Sequence, residues 1–182
     1  VGGWVRSDEP ILPYTTSQEM NAGWSWQIEH ENLVNRGYVF SDSFLSVSQA
    51  MEEFLENNPK IAEARVVDFR SGCHARAWVG NVIAVGNAFG FVEPLEATAI
   101  MANIVQSEEL GEALADCQGR TSDAMRDLYN RKTESMWREI RIFLALHYKA
   151  NRCAKNDFWR YCHHDIQIPD LEELLSFYRE HG

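Results

Sequence analysis

The residues Gly86-Asn87-Ala88-Phe89-Gly90-Phe91-Val92-Glu93-Pro94-Leu95-Glu96-Ala97-Thr98-Ala99 combine a strand end, a glycine-marked turn, a carboxylate and the start of a helical pattern. A turn that feeds a helix start presents unpaired backbone N–H groups and partial positive charge. Phosphate, a carboxylate or a halide can sit there without a lysine or arginine. The same residue types also make plain structural loops. Pro94 fixes a backbone angle and Leu95 can anchor the turn, which holds Glu96 at the edge of the helix start near Thr98. That position suits a general base, and it equally suits a carboxylate that compensates helix-start amides. Asn87 can bond a hydroxyl or an amide and could orient a ribose-like or ribityl chain.

A second group of candidates lies upstream. Trp24, Trp26 and Ile28 alternate with Ser25, Gln27 and Glu29, so one strand face carries three bulky apolar groups. Such a face could line an aromatic-substrate pocket and shield a reactive species from water, or form the packed side of a sheet. His30 follows as a strand-edge surface residue. His147-Tyr148 and His163-His164, near Trp159 and Tyr161, could contribute to a substrate cover, but read rather as an aromatic helix-packing cluster, because no nucleophile stands beside them. Lys60 and Lys149 read as solvated helix-end residues. Cys162-His163-His164-Asp165 lacks a second ligand cluster at metal-binding spacing, and no metal is expected.

These residues need elements to position them. Polar residues through Asn35-Arg36-Gly37 turn the chain, and Tyr38-Val39-Phe40 returns as a partner strand. Ser46 precedes Val47, Met51, Phe54 and Leu55, spaced at three and four, until Asn57-Asn58-Pro59 stops the run, which predicts an amphipathic helix with a serine cap. Residues 64–69 and 81–85 read as further strands, with Ser71-Gly72 and Gly80-Asn81 as turn signals. From Thr98 a helix runs through Ile100, Ile104 and Leu110 toward Ala115. A longer one starts near Thr121 as cap and packs through Met125, Leu128, Met136, Ile140, Phe143 and Leu144. A last helix follows Pro169, with Leu171, Leu174, Leu175 and Phe177 on its apolar side. Strands first and helices second predict an α+β fold without internal repeats.

The 182 residues suffice for one hydrophobic core. A net charge of -10 argues against a nucleic-acid partner, which needs a clustered basic surface. No apolar run reaches membrane-spanning length, and no basic segment leads into an apolar one at Val1, so a cytoplasmic protein without a membrane contact is expected. Cys73, Cys117, Cys153 and Cys162 are widely spaced and are expected as reduced thiols.

Taken together, Gly23-Trp24-Ser25-Trp26-Gln27-Ile28 and the segment from Gly86 to Thr98 resemble the flavin-dependent tryptophan halogenase family. The resemblance implies part of a flavin monooxygenase-like halogenase fold, with partial substrate-sheet and FAD/halide contacts over 1–115 and a helical carboxyl-terminal region over 116–182, packed as one unit. It implies reduced FAD from a separate flavin reductase, oxygen, and chloride or bromide as co-substrate. An electron-rich aromatic such as tryptophan, or an indole or phenol, would be halogenated. Glu96 would match the family's catalytic glutamate. Gly86, Asn87, Ala88, Gly90, Phe91 and Pro94 would lie against FAD, and the backbone at Thr98 and Ala99 would match the halide site. Ala97-Thr98-Ala99 stands where the family commonly has Ser-Thr-Gly, and alanine reaches unusual backbone angles less readily than glycine. The family's G-x-G-x-x-G fingerprint and its lysine have no counterpart here, so a missing amino-terminal part of the same protein is expected to supply them, and the fragment is not expected to be active alone. The alternatives are an FAD-dependent aromatic monooxygenase that works without halide, and a non-catalytic binding module whose tryptophan face engages a partner protein.

Overall fold

The computed structural model describes residues 1–7, 10–151 and 156–181, without the side chains of Pro169, Asp170, Glu173, Leu174, Tyr178 and Arg179. Cys153 and the Leu174 side chain, both singled out above, lie outside the described residues. The chain forms two compact units, one from Val1–Asp68 with Tyr148–Ile166, the other from Phe69–His147 with Gln167–Gly182. The boundary expected at 115/116 falls at the end of a helix, where the chain turns.

The first unit is built on an antiparallel sheet of β1 (Gly2–Val5), β2 (Thr16–Met20), β3 (Gly23–Glu29) and β4 (Leu33–Phe40), in the order β1-β4-β3-β2. The tryptophan strand is therefore central. The register places Trp24 opposite Val39 and Trp26 opposite Gly37. β2 carries no strong apolar alternation and was not foreseen, but Asn21-Ala22-Gly23 is the turn signal that could have revealed it. Residues 64–69 do not form the expected strand. Apart from an isolated bridge between Gly2 and Ala64 they find no ladder, and Val66, Val67 and Phe69 stay exposed. A hydrophobic run becomes a strand only where a partner edge accepts its backbone groups.

Helix α1 (Val47–Glu56) starts as the sequence predicts. The Ser46 hydroxyl accepts from Gln49 N–H and the Gln49 side chain accepts from Ser46 N–H, a reciprocal box that contributes about 1 kcal/mol. Ala50 and Phe54 are its buried residues. From the same helix, Glu53 accepts from Asn21 N–H at 2.8 Å and from the Tyr38 hydroxyl at 3.0 Å, while that hydroxyl accepts from Ala22 N–H at 3.0 Å. Burial, and then the Glu53 carboxylate, push the Tyr38 hydroxyl far above its usual range, so it stays a donor. The β2–β3 turn is thereby tied to α1.

A helix that the sequence reading missed, α4 (Asp157–His164), completes this unit. Asn156 caps it by accepting from Trp159 N–H at 3.1 Å. The buried residues Phe158, Trp159 and Cys162 recur at helical spacing, which is the signal that could have found it. Trp159 Nε1 donates to Met20 O at 2.8 Å, and its ring stacks on Tyr148 at 5.7 Å. Burial pushes the Cys162 thiol up to about 11, so it packs as a small apolar group.

The second unit contains one short hairpin, one further pair of short strands and three helices. β5 (Gly72–Cys73) pairs with β8 (Gly90–Phe91), and β6 (Trp78–Val79) pairs with β7 (Val82–Ile83) around Gly80-Asn81. The strand expected over 81–85 thus shrinks to a two-residue arm, and Ser71-Gly72 leads into pairing rather than out of it. Helices α2 (Thr98–Asp116), α3 (Asp123–Ala150) and α5 (Pro169–His181) follow. Between α2 and α3, Gln118 and Gly119 adopt left-handed angles and Gly119 N–H reaches back to Leu114 O at 2.9 Å, which satisfies the helix end. Ser122, not Thr121, accepts from the first turn of α3 through Met125 N–H, while Thr121 accepts from the Arg126 side chain. The core joins Trp78, Phe89, Ala102, Tyr129, Trp137, Ile140 and Leu144. Asn130 seals it against β6, accepting from Trp78 N–H at 2.7 Å and donating to Trp78 O at 3.0 Å as a neighbouring strand would.

Candidate functional site

The segment read as one turn and one helix start is two turns separated by β8. A 3-10 turn over Gly86–Ala88 precedes β8, and a second over Leu95–Ala97 leads into α2. In that second turn Glu96 has φ 62° and ψ 5°, and Ala97 has φ 50° and ψ 35°. Each left-handed non-glycine residue costs about 1–2 kcal/mol, so the surrounding contacts must impose the shape. Leu95 N–H donates to Glu93 Oε1 at 3.2 Å and Ala97 N–H to Pro94 O at 3.0 Å, closing the turn on both sides of Glu96. The anticipated difficulty at Ala99 does not arise, because Ala99 lies inside α2, where no unusual angle is needed. The strain falls on Glu96 and Ala97 instead.

Ala97 occupies the N-cap of α2 and supplies no side-chain cap bond. The first amides of the helix, at Thr98, Ala99 and Ile100, have no carbonyl four residues back within the helix, and the helix dipole makes this end attractive to an anion. Ala97→Gly should stabilise the protein by about 1 kcal/mol by relieving the left-handed alanine, less the added backbone entropy of glycine. Chemical denaturation of the variant checks this, and a destabilised variant would contradict it.

The Glu96 carboxylate makes its polar contact, among the described residues, with His147 of α3, Oε1 to Nε2 at 3.3 Å. The other ring nitrogen, Nδ1, lies 2.9 Å from Phe143 O one helical turn back, and the ring meets Phe143 edge-on at 4.8 Å. α3 is held by its buried face, Ile140 and Leu144 among it, so the imidazole stands on a packed element. The aromatic cluster expected for His147-Tyr148 therefore divides at that dipeptide. Tyr148 stacks with Trp159 in the first unit, whereas His147 reaches the glutamate in the second. No short-range pattern joins residues 96 and 147.

The Gly86 turn docks on the side of α2. Gly86 is buried at φ 56°, and its N–H donates to Gln106 Oε1 at 2.7 Å. A Cβ at Gly86 would stand 3.0 Å from Asn103 Cβ, and one at Gly90 would stand 2.7 Å from Cys73 Cβ. Both glycines thus serve close packing within their own unit. Ala88 N–H and Phe89 N–H are taken by Val85 O and Gly86 O, so these amides are not the free donors that the sequence suggested. Asn87, Ala88 and Pro94 are exposed, while Phe91, Thr98 and Ala99 are half-buried. Gln106→Leu should cost about 1–3 kcal/mol by leaving the buried Gly86 N–H without an acceptor. Loss of that bond would show as faster amide exchange at Gly86, and unchanged exchange would refute it.

The paired tryptophans differ in their surroundings. Trp24 is 8% exposed. Trp26 lies on the backbone of Gly37, where an added Cβ would meet the indole at 2.4 Å. Ile28, at 38% exposure, does not continue the packed face, and Ser25 on the opposite face is fully buried. His30 is exposed and pairs with the Asn35 amide at 3.2 Å. Lys60 is exposed with its ammonium 5.7 Å from the Trp4 ring, but Lys149 is half-buried and donates to Ile166 O at 2.9 Å, a structural bond in place of the solvated position expected. His163 Nδ1 lies 2.8 Å from Lys149 O. Among the described residues no three His, Cys, Asp or Glu side chains gather as a metal site, and Cys73, Cys117 and Cys162 are free thiols. No described helix is long and apolar enough to cross a membrane.

The chain is similar to known proteins over most of its length. Residues 4–182 match the family described as Tryptophan halogenase. The chain is 33% identical over 172 residues to tryptophan 7-halogenase KtzQ of Kutzneria sp. (strain 744), covering 93% of this chain and 32% of that protein. Tryptophan 6-halogenase ThaL of Streptomyces albogriseolus is 34% identical over 174 residues, with 93% and 32% covered. The solved structure of BrvH, a flavin-dependent halogenase from Brevundimonas sp. BAL3, superposes with a TM-score of 0.89 at 31% identity, over 97% of this chain and 36% of that one. The chain spans about a third of the length of the curated relatives it matches.

Proposed function

We infer the function from one premise: the chain belongs to the tryptophan halogenase family. It is part of an FAD-dependent halogenase that halogenates an electron-rich aromatic, tryptophan or another indole or phenol, with oxygen and chloride or bromide. FAD, when bound and reduced by a separate flavin reductase, would supply the two electrons that activate oxygen, so that oxygen oxidises halide to hypohalous acid and its second atom leaves as water. The full-length protein works in the cytoplasm, and its remaining two-thirds carry the dinucleotide cradle and the lysine of the family.

The observation that carries this reading is the strained carboxylate at an uncapped helix start, with Glu96 and Ala97 both left-handed just before α2. Amides at Thr98 and Ala99 hold the halide by charge and direction alone. Exposed Asn87 and Ala88 offer an amide side chain and a main chain to the flavin, backed by Gly86, Gly90, Phe91 and Pro94. The buried glycines hold that turn in shape from within. When the aromatic carbon receives halogen from hypohalous acid, ring π electrons form the carbon–halogen bond, the halogen–oxygen bond breaks, and its electron pair leaves with hydroxide, which ends as water on taking up a proton. Glu96 then takes the proton from the same carbon, and the C–H electron pair restores the ring. Trp24 and Trp26 keep an apolar surface on their strand.

The test uses the full-length protein with a flavin reductase, tryptophan and other aromatics, with and without chloride or bromide, and mass spectrometry of products. A halogen isotope pattern that requires halide is expected. A hydroxylated product without halide dependence would favour the monooxygenase, and failure to bind flavin would favour a binding module.

A further inference from the structure

We propose that His147 carries away the proton that Glu96 takes up, a role that rests on the function proposed above. A carbonyl oxygen only accepts, so the 2.9 Å contact with Phe143 O fixes the hydrogen on Nδ1. Nε2 is then the nitrogen that faces Glu96 Oε1, at 3.3 Å. This is the arrangement in which an imidazole accepts a proton from a neighbouring carboxyl group, with its other nitrogen anchored so that the ring cannot turn away.

The surroundings support the transfer. Glu96 sits on a backbone turn whose left-handed shape is imposed by the surrounding structure, which fixes where its side chain leaves the chain. The Phe143 ring closes one edge of His147. The side chains are 47% exposed for Glu96 and 35% for His147, which leaves the glutamate open to a substrate and the histidine open to water. After Glu96 accepts a proton from the ring carbon, its O–H bond breaks toward Nε2. The carboxylate is regenerated, the imidazole becomes imidazolium, and water accepts the proton from it. No electrons are exchanged in this step.

The experiment uses the full-length protein carrying His147→Phe, His147→Gln, Glu96→Gln and the double variant His147→Phe/Glu96→Gln. Phenylalanine keeps the ring and its contact with Phe143 but has no nitrogen. Glutamine places an N–H near the position of Nε2 but cannot exchange a proton. His147→Phe should lower kcat by about 10–100-fold with an unchanged KM for the aromatic substrate, and His147→Gln should remain comparably slow. The double variant should be no slower than Glu96→Gln, since the two residues act as a unit. Wild-type kcat in His147→Phe, full recovery in His147→Gln, or additive losses would overturn the proposal.

A second measurement does not depend on turnover. In protein labelled with 15N-histidine, the His147 signals, identified by their loss in His147→Phe, should report hydrogen on Nδ1, and the Nε2 signal should move in Glu96→Gln. An Nε2 signal indifferent to Glu96 would overturn the proposal even if the halogenase assignment stood. Conversely, a wild-type protein without halogenated product but with a coupled Nε2 signal would refute that assignment and leave the Glu96–His147 pairing supported.

Discussion

Glu96→Gln in the full-length protein is expected to lower kcat for the aromatic substrate by about 10²–10⁴-fold, with flavin and substrate affinity unchanged. Glutamine matches glutamate in size and can hold the same left-handed position before α2, so the turn over Leu95–Ala97 should persist. It can also donate or accept toward His147 Nε2. What it cannot do is take a proton from a ring carbon, so the loss should lie in turnover rather than in KM. Steady-state kinetics with mass-spectrometric detection of product separates the two. Turnover close to wild type would place the proton acceptor elsewhere, and a raised KM with intact kcat would assign Glu96 to substrate binding. The amide exchange pattern of α2 provides a control for folding.

Gly23→Ala is expected to be the most damaging small substitution in the sheet, costing about 3 kcal/mol or more. An added Cβ would stand 1.9 Å from Val39 O, 2.9 Å from Val39 C and 3.0 Å from Phe40 Cα. These are backbone atoms of the paired strand, so no side-chain rotation relieves the clash. Gly23 pairs with Phe40 on one side and with Met20 on the other, and moving it opens one ladder or the other next to Trp24. The Trp159 bond to Met20 O ends at the same place, which ties α4 to the damage. Chemical denaturation followed by tryptophan fluorescence should show the loss, since Trp24, Trp26 and Trp159 all sit in the affected unit. A variant of wild-type stability would mean that β3 and β4 are held less closely at this end than the register implies.

The short-range signals in the sequence were sufficient for several elements. Ser46 and Gln49 make a box within four residues, so the start of α1 was legible without the rest of the chain. Apolar patterns marked the helices α2, α3 and α5, and Pro169 marked the start of the last, although Ile100, Ile104, Leu128, Phe143 and Phe177, read into those patterns, are exposed. Alternation revealed β3, and the two quoted segments together indicated the family. Elements whose signal was weak or interrupted were missed. β2 is polar, α4 is eight residues long, and the paired strands of the second unit have two residues each.

Tertiary structure alone decided how the candidate site is assembled. Residue types and spacing singled out Glu96, but not its left-handed backbone, because such a conformation is unfavourable locally and persists only under packing and hydrogen bonds from elsewhere. They singled out the Gly86 turn, but not that its amide is held by Gln106, 20 residues later. They identified the tryptophan strand, but not that Trp26 rests on Gly37, since that contact depends on register. His147 was read with Tyr148 as a packing residue because no nucleophile stands beside it in the sequence. Adjacent positions on a helix point about 100° apart, and only the placement of α3 decides that one faces an aromatic cluster and the other a carboxylate. Local propensity is written in neighbouring residues, whereas a site is made by contacts between residues far apart in the chain, and their partners are chosen by the packed fold.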